Sequence, residues 1–183
     1  MPDASGALSE AEEQRLIQRA AYSSDTKAFD TLIVPYVGQL RGYLRGLSGN
    51  DSDADDMTQT TLTKAWSQLH RFDGSGRLVA WLFRIAHREF LQNLRSTKRY
   101  SNAMTALADE PQARSAADGA AAAIDVQTIL ASLDPESRAA LILSRAMGLT
   151  HNEISQTLDK PLGTVKSLIN RATQQLVATH EHG

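Results

Sequence analysis

The sequence predicts an all-α protein in which two small helical domains are joined by a flexible linker. Apolar side chains recur at helical spacing through most of the 183 residues, and no strand-like alternation competes with this pattern. Residues 101–123 interrupt it, because they are rich in Ala, Ser, Asp, Gly and Gln and have little apolar periodicity. We therefore place one domain at residues 8–100, the linker at 101–123 and a second domain at 124–180, each able to bury a modest core.

The first two helices are marked by N-cap signals. Ser9 and Glu12 have the spacing of a capping box ahead of a short apolar face. Asp25 is suited to cap a second helix, in which apolar side chains recur at helical spacing over residues 29–44. Pro35 falls inside this helix and is a candidate kink.

A third helix is expected to start near Asp53, after a break over residues 46–50. Carboxylates at Asp53, Asp55 and Asp56 suit the positive end of a helix dipole. The apolar face continues over residues 57–69.

A glycine-rich loop over residues 72–76 leads into a fourth helix with a cationic outer face. The apolar face of this helix extends over residues 78–94. Five basic side chains project away from it: Arg84, Arg88, Arg95, Lys98 and Arg99.

Charge is distributed unevenly along the chain, although the net charge is only −2. Residues 71–99 hold seven basic and two acidic side chains, whereas residues 100–134 hold one basic and five acidic ones. A basic block beside an acidic one is typical of a polyanion-binding face next to a solvated linker. The alternative is an ordinary solvated helix face on which the charges cluster by chance.

Cap signals also place the first long helix of the second domain. Asp134 followed by Pro135 is typical of a helix start, and apolar residues recur over residues 139–146. Gly148 is placed to end this helix.

The rest of the second domain has the pattern of a helix-turn-helix. Thr150 and Glu153 form a capping box for a short helix, which a break over residues 159–161 separates from a longer helix over residues 162–178. Side chains suited to phosphates and base edges point outward from the second helix: Lys160, Thr164, Lys166, Ser167, Asn170 and Arg171. The alternative is a helical hairpin that only packs.

Several kinds of chemistry are not expected. The chain has no cysteine, which excludes disulfides, zinc–thiolate sites and thiol nucleophiles. No apolar run approaches 18 residues, so we expect no membrane insertion. Residues 1–13 are acidic and lack a signal-peptide pattern, which favours the cytoplasm. The histidines are scattered, and we expect no catalytic residue, no metal and no cofactor.

Three segments of the second domain resemble the promoter-binding domain of extracytoplasmic-function (ECF, group IV) sigma factors of RNA polymerase. They are Leu133-Asp-Pro-Glu-Ser-Arg138, Gly148-Leu-Thr-His-Asn-Glu-Ile154, and Gly163-Thr-Val-Lys-Ser167 with Arg171-Ala172. The first domain is similar to the same family at Asp53-Ala-Asp-Asp-Met-Thr-Gln59 with Lys64-Ala-Trp66, and at Trp81-Leu-Phe-Arg-Ile-Ala86 with Leu94-Arg95. The blocks follow the family's order and cover about residues 10–178.

The resemblance implies a polymerase-binding helix in the first domain. The family's third helix docks on the clamp helices of the β′ subunit of the polymerase core. The matching residues here are Asp55, Asp56, Gln59 and Thr63. Polar side chains beside an aromatic one fit an interface helix, and we assign the ring of Trp66 itself to the core.

The resemblance also implies two contacts with promoter DNA. The glycine-rich loop and the basic helix would bind the −10 strand and capture an unstacked base. The residues concerned are Phe72, Arg77, Arg84, Arg88, Arg95, Lys98 and Arg99. Trp81 is expected to fill the core. The outward residues of the helix-turn-helix would contact the −35 duplex in its major groove.

The chain departs from the family pattern at six positions. Leu78 replaces phenylalanine, Arg88 replaces a base-reading asparagine, Asn93 replaces aspartate, Asp159 replaces a turn glycine, and Leu168 and Thr173 replace arginines. Aspartate tolerates left-handed backbone better than most residues, so the turn is expected to survive. The two lost arginines lower the positive charge of the recognition helix, which leaves the promoter sequence and the strength of −35 binding open.

The function implied is that of a sigma factor that directs RNA polymerase core to specific promoters. An anti-sigma factor would control it, in a stress or envelope response. Two alternatives stay open. One is a stand-alone helix-turn-helix regulator with an N-terminal sensory or dimerisation domain. The other is a sigma-like decoy that sequesters an anti-sigma factor, which would lose basic residues on its DNA-binding faces.

Overall fold

A computed structural model describes residues 8–74, 76–105 and 128–180 of the chain. These residues are helical and contain no strand, as predicted. The helices are α1 (Glu10–Tyr22), α2 (Thr26–Ser48), α3 (Asp51–Gln68), α4 (Leu78–Thr105), α5 (Pro135–Arg145), α6 (His151–Leu158) and α7 (Leu162–His180). A 3-10 turn, Leu69–Arg71, follows α3, and residues 128–132 are also helical. Among the described helices, none is both long and apolar enough to cross a membrane.

The linker predicted over residues 101–123 is described only at its start. Helix α4 continues into this range and ends at Thr105. Residues 106–123, and the predicted start of the second domain at residue 124, lie outside the described residues.

The first two helices begin at the predicted caps. Ser9 and Glu12 form the complete capping box, in which each side chain accepts from the backbone N–H of the other residue. The Asp25 carboxylate accepts from the backbone N–H of Ala28 at 3.1 Å and also binds Arg19 at 2.6 Å. Hydrogen bonds to the charged form hold the pKa of Asp25 below its usual value.

Helix α3 starts two residues earlier than the predicted Asp53. Gly49 ends α2 in a left-handed conformation, with φ 69°. The Asn50 side chain then caps α3 by accepting from the backbone N–H of Asp53 at 3.0 Å. The aspartates therefore lie within the first two turns of the helix, where their negative charge interacts favourably with the helix dipole, as expected. The capping residue, however, is the asparagine that precedes them.

The first domain is organised around a buried tyrosine on α2. Tyr43 is fully buried and packs edge-on against Phe83 of α4, with ring centroids 5.3 Å apart. Its hydroxyl shares a 2.8 Å hydrogen bond with Nδ1 of His87, which supplies the polar partner that a buried tyrosine needs. Trp81 is buried, as predicted. Trp66 packs against Phe29 with centroids 5.0 Å apart, but it is only partly buried, at the edge of the core.

The second domain contains the helices α5, α6 and α7, preceded by the helical residues 128–132, and has the predicted turn. The Asp134 carboxylate caps α5 by accepting from the Ser137 N–H at 2.9 Å, and the Thr150–Glu153 capping box opens α6. Asp159 ends α6 in a left-handed conformation with φ 53°. The buried side chains Leu143, Ile154 and Val165 belong to α5, α6 and α7, respectively.

The two domains are in contact in this structure. Helix α2 packs against α5, and α4 packs against α6. Buried side chains of both domains belong to one continuous hydrophobic cluster. The second domain therefore lies on the side of the first domain formed by α2 and α4.

His87 predicts a pH-dependent loss of stability. Burial lowers its pKa to about 4. The His87 ring therefore stays neutral in the folded protein, whereas in the unfolded chain it takes up a proton near pH 6.5. Stability should therefore fall as the pH drops from 7 to 5, by about 2 kcal/mol from this residue. Urea denaturation at both pH values should show this loss in the wild type and in the exposed-site control His70→Gln. Over the same pH range, His87→Gln should lose about 2 kcal/mol less stability than the wild type. A pH dependence like that of the wild type would contradict the assignment of this loss to His87.

Asp159 predicts a stabilising substitution. A side chain in left-handed backbone is strained, whereas glycine is not. Asp159→Gly should raise the free energy of unfolding by up to about 1 kcal/mol. Gln156→Gly, at an exposed position inside α6, should instead lower it by about 1 kcal/mol. A loss of stability in Asp159→Gly would show that the aspartate side chain stabilises the turn by more than its strain.

Candidate nucleic-acid and polymerase interface

The residues predicted to bind polymerase share one exposed face of α3. Asp55, Asp56, Gln59 and Thr63 are all exposed, and at 100° per residue they fall within an arc of about 100°. Asp56, Gln59 and Thr63 also line one shallow depression of about 400 Å³. The structure thus places all four on a common surface, with Asp55 at its edge.

Asp55 is already paired within the chain. Arg41 of α2 binds it through Nε and Nη2 in a two-pronged contact, and Nη2 also donates to Asp51 at 2.9 Å. The hydrogen bond from Arg41 lowers the pKa of the Asp55 carboxyl. Arg41 was not predicted from the sequence, because the pairing joins residues 14 positions apart on different helices and no local motif signals it.

An apolar groove lies between α2 and α3, beside the residues predicted to bind polymerase. It encloses about 410 Å³ and is lined by Phe29, Ile33, Val34, Val37 and Trp66, among others. Val34 is 68% exposed. Exposed apolar surface of this kind is typical of protein–protein contact sites.

The basic residues of α4 form a single stripe. Arg84, Arg88, Arg95, Lys98 and Arg99 fall within an arc of about 100° and extend over about 22 Å along the helix axis. Arg84 is half-buried and the other four are exposed. Glu89, the only acidic residue of α4, lies outside this arc and pairs with Lys64 of α3. The stripe therefore presents positive charge without an acidic neighbour on its own helix face.

The stripe begins at a cavity of about 380 Å³ that includes the glycine-rich loop. Phe72, Arg77 and Arg84 line it, together with Arg71 and Trp81. The rings of Phe72 and Trp81 have centroids 5.6 Å apart and are inclined at 52°. Cations around paired aromatic rings match what an unstacked base and its phosphate require. Arg71 is a lining residue that the sequence did not single out.

The structure separates the predicted −10 residues into three groups. Phe72, Arg77 and Arg84 meet at the cavity, whereas Arg88, Lys98 and Arg99 continue along the helix surface. Arg95 lines a different cavity, beside His87.

The predicted −35 residues lie on the outer face of the helix-turn-helix. Thr164, Lys166, Ser167, Asn170 and Arg171 of α7 are exposed. Lys160 is half-buried, and its Nζ donates to Glu136 of α5 at 2.7 Å. Two of the six residues, Lys166 and Arg171, therefore offer cations to solvent without an ion pair among the described residues.

The departures from the family pattern on α7 have a structural counterpart. Leu168 is buried, at 5% exposure. Thr173 is half-buried and its hydroxyl donates to the backbone carbonyl of Ile169. Both side chains are therefore used within the second domain, which leaves the recognition helix with few cations.

No group of three or more His, Cys, Asp or Glu side chains in the described part of the chain could hold a metal ion. The surfaces described above consist of side chains suited to binding macromolecules. Their geometry supports contacts with a protein partner and with nucleic acid.

Comparison with known proteins identifies the family. The Sigma-70 region 2 family matches residues 32–100, and the Sigma-70 region 4 family matches residues 123–176. The ECF RNA polymerase sigma factor EcfG of Rhodopseudomonas palustris is 32% identical over 149 residues, which cover 80% of this chain and 81% of that protein. This chain belongs to the ECF sigma factor family. The family is one of transcription regulators and not of known enzymes.

Other relatives of this ECF sigma factor agree with that assignment. The ECF RNA polymerase sigma factor SigE of Mycolicibacterium smegmatis is 34% identical over 157 residues, although the chain spans only 60% of that relative's length. The sigma factor RpoE of Bartonella quintana, solved with the anti-sigma factor NepR, is 30% identical, with a TM-score of 0.71 over 82% of this chain and 94% of that one. CnrH, solved with the cytosolic domain of CnrY, is 26% identical, with a TM-score of 0.70 over 93% of this chain and 98% of that one.

The cationic stripe predicts salt-dependent binding of single strands. Arg88→Gln should weaken binding of a fluorescent single-stranded oligonucleotide without unfolding the domain, because the side chain is exposed. The slope of log affinity against log salt should become shallower by about 0.7 for the lost phosphate contact. Fluorescence anisotropy across a salt series measures this slope. Lys27→Gln, which removes an exposed cation of α2, is the matched control, and an equal change in it would contradict a role for the stripe.

Proposed function

We propose that this ECF sigma factor directs RNA polymerase core to specific promoters in the cytoplasm. The observation that carries the proposal is the arrangement of three outward faces on a two-domain scaffold. One face is polar and lies on α3, one is cationic and lies on α4, and one is the outer face of a helix-turn-helix. The polymerase performs the chemistry, and the sigma factor supplies recognition.

The α3 face is the proposed contact with the β′ clamp helices of the polymerase. Asp56, Gln59 and Thr63 are exposed and border one depression, so they can reach a partner helix without rearrangement. The pairing of Asp55 with Arg41 fixes the carboxylate in one orientation and makes Arg41 a part of the same surface.

The loop and stripe of the first domain are the proposed −10 site. The aromatic cavity beside Arg77 and Arg84 has the composition needed to hold a flipped base. The rest of the stripe can follow the phosphates of the attached strand over several nucleotides. The first domain, which carries most of the accessible positive charge, is therefore the one proposed to separate the DNA strands.

The outer face of α7 is the proposed −35 site. Asn170 and Arg171 have the donors and acceptors that read base edges, and Lys166 suits a phosphate. With so few cations this contact is expected to be weak alone, so the polymerase must hold both domains near the DNA.

An anti-sigma factor is the proposed regulator. The solved structures of RpoE and CnrH are complexes with NepR and with the cytosolic domain of CnrY, respectively. The apolar α2–α3 groove, with Val34 and Trp66, offers this chain a surface for such a partner. Because the groove adjoins the polymerase-facing residues, a partner bound there would compete with polymerase.

Two observations weigh against the alternative functions. A sigma-like decoy would not need the cationic stripe, which is present and uncovered over most of its length. A stand-alone helix-turn-helix regulator would have a sensory or dimerisation domain at its N-terminus, whereas the first domain here matches Sigma-70 region 2.

The test is run-off transcription with purified core polymerase and genomic DNA fragments. The wild type should give discrete transcripts, and the double substitution Asp56→Asn with Gln59→Ala should reduce them at least tenfold by weakening core binding. Co-purification with core polymerase should fall in parallel while the melting temperature stays unchanged, because both side chains are exposed.

Glu10→Gln is the matched control, because it removes an exposed carboxylate from α1 and should leave transcription unchanged. Absence of both transcripts and co-purification with the wild-type protein would refute the proposed function.

A further inference from the structure

The cavity beside His87, here called the interdomain cavity, lies where the two domains meet. It encloses about 260 Å³. Helix α4 of the first domain forms one wall, and α5, α6 and the turn after α6 form the others. Phe90 and Leu91 of α4 and Leu158 of α6 give it an apolar lining. Apolar walls with a few polar groups between them are typical of small-molecule sites.

One polar group of the interdomain cavity is buried and lacks a partner. His87 is 8% exposed, and its Nδ1 shares a hydrogen bond with the Tyr43 hydroxyl. The other ring nitrogen, Nε2, has no hydrogen-bond partner among the described residues. Because buried polar atoms are nearly always hydrogen-bonded, Nε2 is available to a molecule that enters the cavity.

The charged groups around the interdomain cavity leave one positive charge unbalanced. Nζ of Lys160 lies 2.7 Å from the Glu136 carboxylate, so these two charges offset each other. Arg95 also borders the cavity, and it forms no ion pair with any residue that the structure describes. A ligand with a single carboxylate would supply the missing partner, because guanidinium and carboxylate form strong charge-assisted hydrogen bonds.

The two unpartnered groups can meet opposite ends of one molecule. His87 and Arg95 are eight residues apart on the same face of α4, which separates their Cα atoms by about 12 Å. The longer arginine side chain leans back toward the N-terminus of the helix and shortens this gap. Burial keeps His87 neutral by lowering its pKa to about 4, so its Nε2 suits a hydroxyl better than a second carboxylate.

The volume and the lining restrict the body of the ligand. At about 30 Å³ for each water molecule, the cavity has room for roughly nine or ten non-hydrogen atoms. The rings of His87 and Phe90 are 6.3 Å apart and both border the cavity. Another ring can pack against them and against Leu91. A benzene ring with a carboxylate at one end and a hydroxyl at the other meets these requirements together.

We propose that the interdomain cavity is a binding site for a small aromatic monocarboxylate of the hydroxybenzoate type, with the carboxylate on Arg95 and the hydroxyl on Nε2 of His87. The walls belong to both domains, so the ligand strengthens the contact between them when it binds. The arrangement of the domains then depends on the concentration of a small molecule. This site is separate from the faces proposed for polymerase and for the melted strand, and it can be tested without either.

The first test compares three probes of nearly equal shape on the full chain by NMR. Para-hydroxybenzoate should shift the backbone amides around the cavity and saturate with a Kd of about 1 mM or tighter, as expected for a ligand of this size. Benzoate, which lacks the hydroxyl, should bind at least threefold more weakly. Para-hydroxybenzamide, which lacks the charge, should bind at least fivefold more weakly. Absence of saturable shifts would overturn the site, and equal affinity for all three probes would overturn its assigned chemistry.

Substitution of the cation tests the position of the carboxylate. Arg95→Gln should weaken para-hydroxybenzoate at least fivefold and remove its advantage over para-hydroxybenzamide. Arg88→Gln is the matched control, because it makes the same exchange at an exposed position of α4 that does not border the cavity. An equal loss in both variants would mean general attraction to the cationic stripe and would refute the site.

Filling the cavity is an independent test. Leu91→Trp should reduce binding of para-hydroxybenzoate at least tenfold, whereas Leu94→Trp, at a 40% exposed position outside the lining, should leave it unchanged. Melting temperatures show which variants are folded, and Arg95→Gln still decides the matter if Leu91→Trp is not. Unchanged binding in a folded Leu91→Trp protein would contradict the proposal. Since no measurement uses polymerase or DNA, failure here and failure of the proposed function are distinguishable.

Discussion

The apolar stripe of α2 is the constraint on which the rest of the structure depends. Leu40, Tyr43 and Leu44 of this helix are fully buried, and α1, α3, α4 and α5 all pack against it. Each buried leucine contributes about 2 kcal/mol relative to an exposed one. Because one helix contacts neighbours from both domains, its stripe determines the first core and also the place where the second domain can rest.

The side chains to which we assign a function are those that helix packing leaves outside. On α4 the buried face holds Leu82, Phe83 and Ala86, and the cations are confined to the opposite arc. The same division on α7 buries Val165 and leaves Lys166 exposed. The spacing of the apolar residues along each helix therefore determines the core and, at the same time, the direction of the proposed binding faces.

Local signals in the sequence were sufficient for the elements but not for the contacts between them. The capping boxes at Ser9 and Thr150 were predictable because a cap and its partner lie three residues apart. The start of α3 was predicted two residues late, because it was inferred from the aspartates and not from the capping residue Asn50. The pair Arg41–Asp55 and the cavity bordered by His87 and Lys160 join residues distant in the chain, and only the packed structure brings them together.

The internal pairing of charges has a consequence for how the protein moves through a cell. Arg41, Arg77 and Lys160 each face a carboxylate of the same chain, and the net charge is −2. A genome offers millions of non-specific sites that retain strongly cationic proteins. Partial internal pairing and a slightly negative net charge weaken the attraction to that reservoir, although the stripe of α4 stays exposed. Less of the protein is then retained on non-specific DNA, and more of it is left free to meet a polymerase.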